Sequence, residues 1–354
     1  MKILHFAVEN FARVPEAFVR AERQLGHESL LMTLYPTRHA FDDGAVCLNM
    51  PFVGGGFPAH LKSLLQGRSA EELSNRRRTG LAGVPVWEPG NGFKQKLFDL
   101  RDRIWESQIR KRLKSIDIDS YDLIYLDGGA GFLRSGKIVS ELKAAGKKIG
   151  VTYCGSDLRT RGIIPSVDAL ADARFTVEFD HALLYPKAQF LFFPFRMPPV
   201  NCPAPTPGGR IRIGHAPTNR AVKGTDDILS ELEAMKQDYP IDIILIENLP
   251  HAEALELKAS CQLFIDNIGE LGYGINSLES LAMGIPTAVQ LLPDFEAVLG
   301  DHAFIPIEKG GIARALIPYI ESTKKRKALG EKARAWVSEK HDAVKIVQEM
   351  LRRF

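Results

Sequence analysis

The sequence predicts an α/β protein of two Rossmann-like, doubly wound domains facing a cleft, and three observations carry that expectation. At 354 residues the chain is long for one hydrophobic core. Segments of strand and helix character alternate, stop at a proline-rich stretch, and start again. In the second run, residues 262–286 read as a short strand, a loop holding Gly269, Gly272 and Gly274, and a helix whose apolar face carries Leu278, Leu281 and Ala282. That succession outlines an anion site, because a helix N-terminus presents unpaired N–H groups and partial positive charge while glycines let the backbone approach a phosphate. Glu279, about one turn into the helix, lies off the apolar face, where its carboxylate can accept hydrogen bonds from sugar hydroxyls. A solvated glutamate on ordinary βα architecture is the competing reading.

Residues 2–8 form a first buried strand, 14–25 a helix closed by Gly26, and 27–34 a second strand, so the chain opens as βαβ. Residues 36–92, with Gly54, Gly55 and Gly56, several prolines and the basic cluster Arg76, Arg77 and Arg78, read as an irregular excursion. Residues 93–113 are amphipathic, with Leu97, Leu100, Ile104 and Trp105 at helical spacing. The cations outside that stripe, Lys94, Lys96, Arg101, Arg103, Arg110, Lys111 and Arg112, make either a solvated face or a surface for peripheral docking on an anionic membrane. Asp117 and Asp119 precede the next strand and read as a polar connector.

Residues 122–126 form that strand, and Gly131 to Lys137, GFLRSGK, matches the G-x-x-x-x-G-K spacing of a phosphate loop. Ile138 stands where a Ser or Thr would hold magnesium, so a glycine-rich turn at the carboxyl edge of a parallel sheet competes with a nucleoside-triphosphatase reading through Lys137. A further strand, 148–153, is followed by GSDLR at 155–159, which makes Asp157 and Arg159 candidates for working residues; an Asp–Arg pair closing a turn is the alternative. Pro194, Pro198, Pro199, Pro203, Pro205 and Pro207 cannot continue a helix or central strand, so residues 198–209 are expected to be a stiff linker between domains 1–197 and 210–339. Past it come strands at 210–214, 241–246, 287–290 and 304–306 and helices at 225–236, 252–259, 311–319 and 324–338.

Composition excludes more than it proposes. A net charge of +3 does not argue for nucleic acid. Cys47, Cys154, Cys202 and Cys261 are scattered without C-x-x-C, suggesting free thiols in a reducing cytosol rather than zinc or a disulfide framework. The N-terminus reads as no signal peptide, and no apolar run approaches the length of a membrane span.

A second phosphate-directed element follows the strand at 210–214. Arg220 and Lys223, three apart in a loop that opens a helix, can point at one anion, and His215 can donate to a phosphate or sugar oxygen unless backbone satisfies it. In a parallel sheet this loop and the one at 266–274 share an edge and converge on one pocket.

Taken together, His215-Ala-Pro-Thr-Asn-Arg220-x-x-Lys223-Gly-Thr, then Asp266, then Tyr273-Gly274-x-x-x-x-Glu279-x-x-Ala282-Met283-Gly284-x-Pro286 resembles the nucleotide-sugar-binding half of the GT-B glycosyltransferases, in particular the retaining group 1 (family 4) enzymes. The likeness is strong over residues 210–290 and weaker over 1–195. It implies a UDP- or GDP-type sugar donor in the C-terminal domain and a hydroxyl acceptor, glycan or lipid-linked, in the N-terminal one. It also implies a C-terminal helix, about 340–354, returning to the N-terminal domain. The activity implied is glycosyl transfer with retention, in glycan, glycolipid or surface-polysaccharide synthesis, with no metal or other cofactor and no nucleic-acid partner. By position, Arg220 and Lys223 would hold the diphosphate, His215, Gly272, Tyr273, Gly274, Ile275, Asn276 and Ser277 would line the donor, and Glu279 would take the ribose hydroxyls. Asp157 is a candidate for orienting the acceptor. Two departures stand out: the family's first glutamate falls on Leu271, beside Glu270, and Asn10 to Arg13 replace a glycine loop after the first strand. A non-catalytic nucleotide-sugar-binding protein of the same fold is the alternative.

Overall fold

A computed structural model describes residues 1–36, 44–51, 84–88, 92–198, 209–269 and 272–354. The Gly54 to Gly56 run, the Arg76 to Arg78 cluster, Cys202, most of the proline linker, Glu270 and Leu271 lie outside the described residues. The chain divides into two units, one of Met1–Pro194 with Ala343–Phe354 and one of Phe195–Asp342.

Unit one runs β1 (Lys2–Ala7), α1 (Val14–Gln24), β2 (Glu28–Thr33), β3 (Val46–Cys47), α2 (Gly92–Ser115), β4 (Leu123–Asp127), α3 (Lys137–Ala144), β5 (Lys148–Tyr153), β6 (Ala173–Thr176), α4 (Phe179–Leu184) and β7 (Gln189–Phe190). Its sheet has the order β3-β2-β1-β4-β5-β6-β7 and every pairing is parallel. Both faces are covered, so β1, β4 and β5 are near-continuous apolar runs with almost no exposure. A charged exception in mid-strand is His5. Its Nδ1 lies 2.9 Å from Asp127 Oδ2 and its Nε2 3.0 Å from Glu22 Oε1, all three side chains being buried. Burial works against charge on His5, but Glu22 and Asp127 outweigh it and lift its pKa to about 10.

After β1, where the family pattern has glycines, Ala12 and Arg13 themselves take left-handed φ of 51° and 60°. Such backbone costs a non-glycine residue roughly 1–2 kcal/mol. The turn is pinned by Asn10, whose Oδ1 accepts from Glu16 N at 3.3 Å, and by Arg13, which forks onto the Glu16 carboxylate at 2.7 and 2.8 Å.

Helix α2 corrects the expected apolar face. Trp105 is inside, in one core with Ile109 and Leu113, and Phe98 on the same side meets the Trp87 ring at 5.2 Å, but Leu97, Leu100 and Ile104 point away. The helix carries two apolar rows at helical spacing on opposite sides, and periodicity cannot say which one meets the core. The outward row, Phe93, Leu97, Leu100 and Ile104, is 71%, 41%, 55% and 38% exposed.

Unit two runs β8 (Ile211–His215), a one-turn helix α5 (Arg220–Lys223), α6 (Thr225–Met235), β9 (Ile241–Leu245), α7 (His251–Ala259), β10 (Leu263–Ile265), α8 (Ile275–Ala282), β11 (Thr287–Val289), α9 (Pro293–Leu299), β12 (Phe304–Pro306), α10 (Ile312–Ile320) and α11 (Thr323–Lys340). The sheet order is β12-β11-β10-β8-β9, again wholly parallel. The chain leaves β8 toward β9 on one side and returns to β10 on the other, so the order reverses between β8 and β10, where His215 pairs with Ile265. In open parallel sheets such a switch point leaves a crevice beyond the strands' carboxyl ends. The last helix, α12 (Ala343–Leu351), packs on α1 in unit one, and the Phe354 ring meets Tyr125 and Phe175 at 6.3 Å each.

Candidate functional site at the β8–β10 switch point

Two loops meet beyond this switch. Asn219 caps α5 by accepting from Val222 N at 3.2 Å, and Gly224, at φ +67°, turns the chain into α6. A Cβ on Gly269 would lie 2.4 Å from Val222 O, and Ile268 N donates to Lys223 O at 3.2 Å, so the two backbones touch. This contact turns Lys223 inward. Its Nζ lies 3.2 Å from Asp266 Oδ1, and Asp266 Oδ2 accepts from Ser277 Oγ at 2.5 Å and Gly274 N at 3.3 Å. Burial pushes the Asp266 carboxyl up, but Lys223 and Ser277 outweigh it and hold it below the ordinary range. One buried carboxylate thus ties the post-β8 loop, the glycine loop and the start of α8 together.

The hydrogen-bond ladder of α8 begins with Leu278 N donating to Gly274 O at 3.2 Å, which leaves the helical end formed by Ile275, Asn276 and Ser277 for water or a ligand. Gly274 is open: a Cβ there would touch nothing within 4 Å. Gly272, by contrast, is a packing glycine, with Phe295 3.1 Å from an added Cβ.

One turn along α8, Glu279 is buried but not apolar in its surroundings. Oε2 accepts from Lys258 Nζ and Oε1 lies 2.7 Å from His251 Nε2. Lys258 also donates to Asn276 Oδ1 at 2.9 Å, and Asn276 Nδ2 donates to Ala216 O at 2.9 Å. Burial raises the Glu279 carboxyl, but Lys258 and His251 outweigh it, so it is an anion below the ordinary range. A carboxylate offers about four lone-pair sites, so two remain for hydroxyls after Lys258 and His251 have donated.

The structure brings Lys223, Gly274, Ile275, Asn276, Ser277 and Glu279 into this one region. Arg220 stands at its outer margin, half-exposed, with Nε and Nη2 each 2.9 Å from the Glu247 carboxylate. His215 is wholly buried. Its Nδ1 donates to Ile265 O at 2.8 Å, so Nε2, at 2.9 Å from Thr225 Oγ1, is the acceptor; burial pushes its pKa down and it is a neutral strut joining β8, β10 and α6. Tyr273 lies in an aromatic cluster, stacked on Phe295 at 5.4 Å with its hydroxyl 3.1 Å from His341 Nε2.

Asp157 belongs to unit one, where Oδ2 accepts from Cys154 N at 2.9 Å and Oδ1 pairs with Arg161 at 3.0 Å. Arg159 is bound to Asp180 and Glu178. Lys137 donates to Glu106 at 2.7 Å, and a Cβ on Gly136 would strike Ser166 O at 2.4 Å, so that glycine serves backbone packing and the lysine a surface ion pair. Sequence reasoning missed Lys258, His251 and Glu247. Lys258 lies on a short helix of mixed composition, and nothing local marks a lysine there as buried.

No family model matches the chain, and no curated protein matches its sequence. Solved structures do match in fold. The sucrose-phosphate synthase of Thermosynechococcus elongatus aligns over 99% of this chain and 98% of its own, with a TM-score of 0.60 at 10% identity. The Anabaena protein HepE, solved with UDP and glucose, aligns over 99% of both chains with a TM-score of 0.55 at 13% identity. Against TarM the chain spans 54% of the neighbour's length. At such identities the likeness is one of architecture: the chain has the GT-B fold, two parallel α/β sheets in succession.

Proposed function

We propose that this chain transfers a glycosyl group from a nucleoside-diphosphate sugar to a hydroxyl acceptor. The observation that carries the reading is the switch point of unit two, where a buried lysine, a helix N-terminus and, one turn on, a buried carboxylate follow one another in the order of diphosphate and ribose. That HepE was solved with UDP and glucose supports it. Lys223 and the N–H groups of α8 hold the diphosphate, and Arg220 exchanges the Glu247 carboxylate for phosphate oxygens, one bidentate partner for another. As the bond between the anomeric carbon and the β-phosphate oxygen breaks, these donors stabilise the charge on the departing diphosphate. The acceptor hydroxyl forms the new bond on the same face, with retention, and its proton passes to the leaving phosphate. For the residue that orients that hydroxyl we propose Asp157, which follows β5, or a histidine.

The test is thermal stability of the full chain with UDP-, GDP-, ADP- and CMP-sugars. At a ligand concentration about a hundredfold over Kd, binding contributes roughly 2.7 kcal/mol, a shift of about 5–10 °C for a domain of this size. Glu279→Gln is expected to lose the preference for a nucleotide with intact ribose hydroxyls over its dideoxy analogue, about tenfold or more, while Lys137→Ala binds as wild type. If no nucleotide stabilises the fold, the reading fails; stabilisation without sugar release to any hydroxyl acceptor selects a binding protein of the same fold.

The outward row of α2 supports a peripheral placement. The helix has eight Lys or Arg against three Asp or Glu, and Lys96, Arg103 and Lys111 flank the exposed apolar row. Apolar side chains bordered by cations suit an anionic membrane surface, where each cation contributes about 1 kcal/mol. The described residues include no helix long and apolar enough to cross a membrane. Sedimentation with phosphatidylglycerol-containing vesicles is expected to retain the chain, and pure phosphatidylcholine or the triple change Leu97→Gln, Leu100→Gln, Ile104→Gln to release at least nine-tenths of it. Equal retention by both lipids would remove the electrostatic half of the argument and with it the proposal.

A further inference from the structure

The loop after β4, residues 128–136, stands at the other switch point, between β1 and β4 in unit one, and it is anchored throughout. Arg161 donates from Nη2 to Gly128 O and pairs through Nη1 with Asp157 at 3.0 Å. Asp102, on the inner face of α2, accepts from Ser135 N at 3.3 Å and from Arg101 Nη2 at 2.6 Å. Ser166 Oγ donates to Arg134 O at 2.8 Å. Three cations around the loop each have a carboxylate: Arg161 has Asp157, Arg101 has Asp102, and Lys137 has Glu106.

Arg134 does not. Among the described residues its guanidinium donates no hydrogen bond and joins no ion pair, and Nη1 is sealed from solvent without a partner. What it has is a ring. Its Cζ lies 5.1 Å from the centre of Trp87, a residue held there by Trp87 N donating to Ile163 O at 2.8 Å and by Ile163 N donating to Pro85 O at 2.8 Å. Burial lowers its pKa to about 9; Arg161 and Arg101 push the same way, and Asp102 and Asp157 offset only part of the shift. The residue as a whole is part-buried, and buried polar groups are normally paired, so a sealed guanidinium nitrogen with no partner is a feature that asks for one.

We propose that Arg134 is the anchor of an oxyanion subsite in unit one, whose ligand is a phosphate or carboxylate group bound by the planar fork of the guanidinium against Trp87. The further identification of that oxyanion as part of the acceptor rests on the glycosyl-transfer reading; the subsite does not. The acceptor is then an anionic one, a phosphorylated lipid or a glycan bearing phosphate or carboxylate.

The experiment titrates inorganic phosphate and, separately, acetate into the full chain, following tryptophan fluorescence and thermal stability at constant ionic strength set by chloride. Wild type is expected to show a saturable change with phosphate, at least tenfold weaker in Arg134→Gln, partly restored in Arg134→Lys, and optically silent in Trp87→Phe. In phosphate-free buffer Arg134→Gln is expected to melt at or above the wild-type temperature, since it removes a part-buried charge whose sealed Nη1 has no partner; this also shows that the variant folds. A phosphate response unchanged in Arg134→Gln, or an Arg134→Gln that melts below wild type without phosphate, would overturn the subsite. A stronger response to phosphate than to acetate assigns phosphate, and the reverse assigns carboxylate. Nucleoside-diphosphate binding measured on the same variants reports on unit two alone. Its absence with the phosphate response intact sinks the glycosyl-transfer reading and spares the subsite, whereas intact nucleotide binding with no Arg134-dependent response does the opposite.

Discussion

Lys223→Met is expected to weaken nucleoside-diphosphate binding by about 10- to 100-fold, the worth of one charge-assisted hydrogen bond to a phosphate. The same change leaves Asp266, 1% exposed, with Ser277 Oγ and Gly274 N but no cation. Removing one partner of a buried pair costs roughly 3–5 kcal/mol, because the remaining charge stays desolvated. Unit two should therefore melt well below wild type. The pH dependence identifies the cause. Asp266 has a depressed carboxyl pKa in the fold, so its contribution is present above the ordinary value of 3.8 and is lost as pH falls through the lower folded value. In Lys223→Met that acid-side loss should vanish, since the carboxyl no longer gains from being ionised. Calorimetry between pH 2 and 7, beside nucleotide titrations, measures both effects; Lys223→Arg, which keeps the charge, is expected to retain most of the stability. A Lys223→Met protein with wild-type affinity would separate this lysine from the diphosphate.

His5→Gln should have the largest effect in unit one. His5 bridges Glu22 on α1 and Asp127 at the end of β4, and the Glu22 carboxylate also accepts from Ser29 Oγ at 2.5 Å. Without the imidazolium two buried carboxyl groups face each other across a neutral amide, at a cost of about 3–5 kcal/mol, or about 10 °C in the melting of a unit this size. Because the folded pKa of His5, about 10, lies above its ordinary 6.5, the stabilisation is complete below pH 6.5 and is lost as pH rises through about 10. The gap between wild type and His5→Gln should thus be constant from pH 5.5 to 6.5 and narrow steadily toward pH 10. Trp336→Phe isolates the measurement, since Trp87 and Trp105 both belong to unit one. A gap independent of pH would mean that His5 is neutral in the fold.

These two predictions also show how unevenly the chain could be read. Lys223 could be placed from the sequence in a loop that opens a helix, because R-x-x-K follows a strand there. Its partner Asp266 could only be placed after the strand, since nothing in spacing says that its carboxylate meets both a lysine 43 residues earlier and a serine 11 residues later. The His5 cluster left no local trace at all: one histidine in an apolar strand, one glutamate in a helix and one aspartate at a strand end are separately unremarked. Helix α2 shows the same limit in another form, since both of its apolar rows have the spacing of a core face and only one meets the core.

The sequence by itself determined the alternation of strands and helices, the restart after the prolines, and the loop-to-helix junctions at Arg220 to Lys223 and Gly272 to Glu279. Those depend on residues near one another in the chain, through periodicity, glycine and helix ends. Only the tertiary structure decided which of these side chains turn inward and what they meet: Lys223 on Asp266, Glu279 between Lys258 and His251, His215 and Tyr273 into the packing, Arg134 onto Trp87. The reason is electrostatic. A buried charge is set by the partners that desolvation forces upon it, and those partners arrive from elements tens of residues away, brought to one edge by the reversal of strand order in each sheet.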